Sequence, residues 1–138
     1  MTRKKLPPRG KFVSLGDCYE AAGKYVLEQS KLYMGSGGKV EGSEAGARGF
    51  ILVHAEVAGQ GPMEGKTFGH AFVWDTSQDM VIDRSNNRDI QLPKILYFGI
   101  AQIEEIGNYF TYAPEEMMIK LLKYKHWGPW DLKTRSGL

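Results

Sequence analysis

One cysteine and three histidines, together with the carboxylates, are the side chains of this 138-residue chain best suited to covalent or proton-transfer chemistry. A thiol is a useful nucleophile only as a thiolate, which is favoured by a helix N-terminus, a neighbouring imidazole and some access to water. Cys18 follows Asp17, a good N-cap residue, and Glu20 three positions after Asp17 makes an acidic capping box, so the spacing predicts Cys18 in the first turn of a helix. The unpaired N–H groups of such a turn would stabilise negative charge and could donate to an oxyanion. His70 follows Gly69 at the start of His70-Ala71-Phe72-Val73-Trp74, and Asp83 ends the apolar run Met80-Val81-Ile82. If these runs are neighbouring antiparallel strands, Asp83 comes beside His70 and can fix its tautomer and stabilise its imidazolium. The chemistry of such a set is attack of the Cys18 thiolate on an acyl carbon, with His70 as base and acid.

A lone helical cysteine is by default a buried hydrophobe, and the case for Cys18 rests on His70 and Asp83 coming within reach of it. Two further residues are candidates for substrate or oxyanion contact: Glu56, which shares a strand face with His54, and Gln60 in Gly59-Gln60-Gly61-Pro62. The bland readings are a satisfied polar pair on a sheet and a turn glutamine. With one cysteine and no HxxxH spacing, no metal site and no cofactor is expected. The glycine-rich stretch from Met34 to Gly49 lacks the order of a phosphate-binding loop and reads as a mobile loop or a lid.

The elements that must position these groups follow from periodicity. Cys18, Ala22, Tyr25 and Val26 recur on one face of a helix. Phe50 to Val57 and Thr67 to Asp75 read as a hairpin of buried strands, with Met80 to Asp83 as a third strand. Leu92 to Ile106 suits a second helix with Pro93 near its first position. Tyr109 to Tyr112 is a short strand, and Pro114-Glu115-Glu116 opens a last helix that ends before Gly128. His126, Trp127, Pro129 and Trp130 form an aromatic tail expected to pack on the domain, or to serve as a partner patch if exposed.

The chain is 42% hydrophobic and 25% charged, which suits one globular domain over residues 12–138 behind a flexible basic leader, residues 1–11. A net charge of +2 is too mild to imply nucleic acid. No apolar run approaches the length needed to span a bilayer, and no secretory pattern follows the basic start, so the expectation is a cytoplasmic protein without a membrane partner. Oligomeric state is not legible.

Gly69-His70-Ala71-Phe72-Val73-Trp74 followed by Val81-Ile82-Asp83-Arg84-Ser85 resembles the transglutaminase-like pattern, in which a His-Ala-aromatic strand precedes an aliphatic-Asp strand. The order of cysteine helix, histidine strand and aspartate strand agrees, and the resemblance spans Gly16 to Ser85. It implies an α+β, papain-like fold: a nucleophile helix packed on an antiparallel sheet, with further helices towards the C-terminus. It also implies a thioester intermediate, with Cys18 as nucleophile, His70 as base and acid, and Asp83 orienting His70. The substrate would be a peptide, amide or ester, and a host protein is one candidate. The chain also resembles small proteins of tailed bacteriophages and actinobacteria, through Gly59-Gln60-Gly61-Pro62, Gly69-His70-Ala71, Asp83-Arg84-Ser85-Asn86 and His126-Trp127-Gly128-Pro129-Trp130-Asp131-Leu132. Two readings follow: a cysteine-dependent hydrolase or acyltransferase, or a protein that keeps the papain-like fold without turnover and binds a host partner. A structural phage component is a third possibility.

Overall fold

The runs that read as strands are apolar nearly throughout rather than alternating, the pattern of a sheet covered on both faces. The computed structural model describes residues 10–35 and 49–133, with side chains for 17–29 and 49–133. Helix α1 (Gly10–Gly35) leads to strand β1 (Phe50–Ala58), then β2 (Thr67–Asp75), β3 (Met80–Asp83) and β4 (Ile90–Pro93). Helices α2 (Lys94–Ala101) and α3 (Ile103–Ile106), strand β5 (Tyr109–Tyr112) and helix α4 (Pro114–Tyr124) follow. The chain is therefore α+β, built on a five-stranded antiparallel sheet of order β4-β3-β2-β1-β5.

Two apolar layers flank the sheet. On one face, Leu52, Ala71, Val73 and Ile82 pack with Tyr19, Ala22 and Val26 of α1 and Met117 of α4. On the other, Val53, Ala55, Val57, Phe72 and Val81 pack with Phe98 and Ala101 of α2 and Ile103 of α3. Gly23, in the middle of α1, is explained by a close approach: a Cβ there would lie 2.6 Å from the Trp127 ring. The aromatic tail thus lies on the domain, with Trp127 and Trp130 half-buried against the α1 layer.

The hairpin, the third strand and Tyr109–Tyr112 lie where the sequence predicts them. The last helix starts at Pro114, where Glu116 Oε1 accepts the Ala113 N–H at 2.8 Å, and it ends at Tyr124. The segment from Leu92 to Ile106 is not one helix. Leu92 and Pro93 belong to the edge strand β4, paired with Val81 and Met80, where a residue without an N–H is tolerated. Gln102, at φ 57°, then breaks the helical run. The break turns both Ala101 and Ile103 into the core, which a continuous helix would not do for residues two apart. The first helix begins earlier than expected, at Gly10. Residues 1–9 of the basic leader and 36–48 of the glycine-rich stretch lie outside the described residues, while Met34 and Gly35 end α1. Among the described residues, no helix is long and apolar enough to cross a membrane.

Candidate functional site

Hairpin geometry settles where His70 can look. In the β1–β2 register Ala55 lies opposite His70, and alternation sets His70 with Phe72 on the face covered by α2. The β2–β3 register pairs Val73 with Ile82, so its continuation puts Asp83 opposite Phe72, diagonal to His70 on that same face. His70 Nε2 and Asp83 Oδ2 are accordingly 2.9 Å apart, both side chains buried.

Asp83 is held by four donors. Oδ2 also accepts the Tyr97 hydroxyl at 2.7 Å, and Oδ1 accepts the Ser85 N–H at 3.0 Å and the Ser85 hydroxyl at 2.7 Å. Burial alone would raise its pKa, but the hydrogen bond and charge of His70, with the Ser85 donors, outweigh burial and hold the carboxyl well below the usual range. Burial would likewise lower the His70 pKa, yet hydrogen bonds to Asp83 and to Cys18 raise it well above that of an ordinary imidazole. The Tyr97 phenol is pushed up by burial and by the adjacent Asp83 charge, so it stays a donor. With Nε2 engaged by the carboxylate, Nδ1 is the ring nitrogen left for Cys18.

Cys18 reaches His70 although the two start from different layers, since Cys18 packs with Ala71 and Val73 on the α1 face. β3 ends at Asp83, so the β3-side edge of β2 is unpaired at His70, and α1 can approach the imidazole there. The Asp83-Arg84-Ser85-Asn86 segment fastens the helix to this edge. The Asn86 N–H donates to Asp17 Oδ2 at 3.4 Å, and the Arg84 guanidinium lies 5.0 Å from the Tyr25 ring centroid. Asn86 and Asn87 take left-handed φ values of 59° and 62°, which asparagine tolerates better than most residues.

Cys18, His70 and Asp83 are thus brought together, but two expectations about Cys18 are corrected. It lies in the ninth position of α1 rather than the first turn, so its N–H is engaged within the helix and the terminal macrodipole, which fades within a turn, does not act on it. Asp17 is no N-cap. Cys18 is also only 1% exposed, not partly open to water.

The two lesser candidates sit elsewhere. Glu56 is fully buried on the α1 face, where Oε2 accepts the Thr67 hydroxyl at 2.6 Å and Oε1 accepts Asn108 Nδ2 at 3.0 Å; it ties β1 to β2 and to the chain before β5. Its neighbour His54 makes no ring hydrogen bond among the described residues. Gln60 lines the same cavity as His70, but its Nε2 donates to the carbonyls of Ala58 at 3.2 Å and Ile100 at 3.1 Å. Donation to an oxyanion would require one of those bonds to break. Among the described residues, no group of three or more His, Cys, Asp or Glu side chains is placed to hold a metal ion.

Sequence reasoning missed Tyr97 altogether, and it quoted Ser85 without a role. Ser85 had a local signal, because Asp-x-Ser is the spacing of an Asx turn. Tyr97 had none, since its hydroxyl meets Asp83 only through the packing of α2. Comparison with protein-family models, with curated proteins and with solved structures finds no match to this chain.

Proposed function

We propose that this chain is a cysteine-dependent hydrolase or acyltransferase acting on a peptide, amide or ester through a thioester, on a papain-like (transglutaminase-like) variant of the α+β class. The observation that supports this most directly is the continuous buried chain of hydrogen bonds from Cys18 to His70 to Asp83, with Asp83 fixed by Tyr97 and Ser85. A structural cysteine needs no such chain. In the reaction, with the shared proton resting on the charged His70, the Cys18 sulfur bonds to the acyl carbon. His70 returns the proton to the leaving amine or alcohol as the carbon–nitrogen or carbon–oxygen bond breaks. Water or an amine, deprotonated by His70, then releases the acyl group from sulfur. Asp83 stays ionised and holds the imidazole in one orientation.

A second reading, a binding protein that keeps this arrangement without turnover, is favoured by one observation: the thiol is closed off from solvent in the interior of a helix. Iodoacetamide alkylation of Cys18 across pH 5–9 separates the two. Alkylation of folded wild type at neutral pH, slowed by at least about tenfold in His70→Ala and Asp83→Asn, supports acyl chemistry. Alkylation that is slow and alike in all three folded proteins sinks it in favour of the binding protein.

A further inference from the structure

On the α2 side of the sheet, a cavity of about 680 Å³ opens beside His70 and Asp83. Its walls include Val57, Phe68, Leu92, Ile100 and Ala101, while the polar lining residues Gln60, Asn86 and Arg88 are exposed at its rim. The volume lies within the range of small-molecule sites, and a predominantly apolar lining with a few polar groups is their usual chemistry. The buried polar groups of the lining are His70, the proposed acid and base, and Asp83, which orients it. An occupant therefore sits with an apolar body against aliphatic walls and one end at the His70 imidazole.

Building on the acyl-transfer reading above, we propose that this cavity is the acyl-chain site and that the substrate is an ester or amide of an apolar, medium-length acyl group. A short polar acyl group, or the backbone of a hydrophilic peptide, would leave the walls unfilled. Each methylene buried against such walls strengthens binding up to roughly fourfold, so chain length is a direct readout.

The test uses the full chain and a series of N-alkyl iodoacetamides from methyl to octyl, with Cys18 alkylation followed by intact mass. In the reaction the sulfur–carbon bond forms and iodide leaves, the proton of the pair staying on His70 until it is lost to water. Calorimetry with unreactive N-octylacetamide measures occupancy of the cavity in wild type and in Cys18→Ala. The expected result is a rate at least about 30-fold higher for octyl than for methyl, together with saturable binding of N-octylacetamide by both proteins. In Ile100→Asp, an exposed wall position where a carboxylate leaves the fold intact, the rate ratio falls to near one and binding weakens at least about tenfold. Ala101→Phe, which fills the floor, gives the same loss if it folds. Equal rates along the series, or no binding of N-octylacetamide, overturn the acyl-chain site while the methyl rate still reports on the Cys18–His70 pair. Binding of N-octylacetamide with no alkylation by any reagent overturns the acyl assignment and the acyl-transfer reading together.

Discussion

His54 and His70 stand on neighbouring strands, one register step apart, and end in opposite electrostatic states. His54 lies opposite Ala71, and Ala55 lies opposite His70, so the offset of one residue sends the two rings to opposite faces of the sheet. His54 meets Tyr19, Tyr112 and Trp130, with ring centroids at 4.8, 5.1 and 4.9 Å, and neither ring nitrogen has a hydrogen-bond partner among the described residues. Gly128 closes over it, at φ +129°, where a Cβ would lie 2.6 Å from His54 Cε1. Burial pushes the His54 pKa down to about 3, against a weak opposing pull from Asp131. His70 is buried too, but a fixed carboxylate on the next strand reverses the outcome. Burial alone therefore says nothing about the charge of an imidazole. The partner decides.

The largest effect is expected from breaking the pair. Asp83→Ala leaves a buried imidazole without its anion and three further donors without that acceptor, and should lower stability by about 3–5 kcal/mol in urea unfolding. The same change at Glu56 tests a buried carboxylate that accepts from the Thr67 hydroxyl and the Asn108 amide.

Next in size is a pH dependence with opposite signs for the two rings. His54 binds its proton in the unfolded chain below about pH 6.5, but in the folded chain only near pH 3. Its contribution therefore falls as pH drops through that window, by up to about 1.4 kcal/mol per pH unit. His70 has a raised folded pKa, so its contribution is fully present below about pH 6.5 and is lost as pH rises towards the folded value. Thermal unfolding between pH 4 and 9 should show His54→Leu flattening the acid side and His70→Gln flattening the alkaline side. If His54→Leu leaves the slope between pH 4 and 6.5 unchanged, the orphaned ring is not the group responsible.

Tyr97→Phe removes one donor from Asp83 Oδ2 without changing the ring, and a loss of about 1.5–3 kcal/mol is expected for a bond to a charged group. An unchanged urea midpoint would mean that Asp83 does not need Tyr97. The smallest contrast compares two serines. Ser85→Ala should lower stability by about 1–2 kcal/mol and slow Cys18 alkylation, whereas Ser77→Ala should lower it by less than about 1 kcal/mol and leave alkylation as in wild type.

That last pair shows how far local sequence reaches. Asp75-Thr76-Ser77 and Asp83-Arg84-Ser85 form the same turn, in which one carboxylate oxygen accepts the serine N–H and hydroxyl two residues on. Both turns follow from Asp-x-Ser at a strand end, because the acceptor and both donors lie within three residues. Strand positions were equally legible, since β-branched and aromatic runs between turn formers specify them, and the diagonal of His70 and Asp83 follows from counting along β2 and β3. Only the tertiary structure decided that Asp83 and not Asp75 acquires a histidine and a tyrosine. It alone placed Cys18 in a helix interior, turned Leu92 and Pro93 into an edge strand, and left the His54 ring nitrogens without a hydrogen-bond partner among the described residues. Each of these depends on contacts between residues far apart in the chain, and the energies of such contacts are written in packing and desolvation rather than in any local pattern.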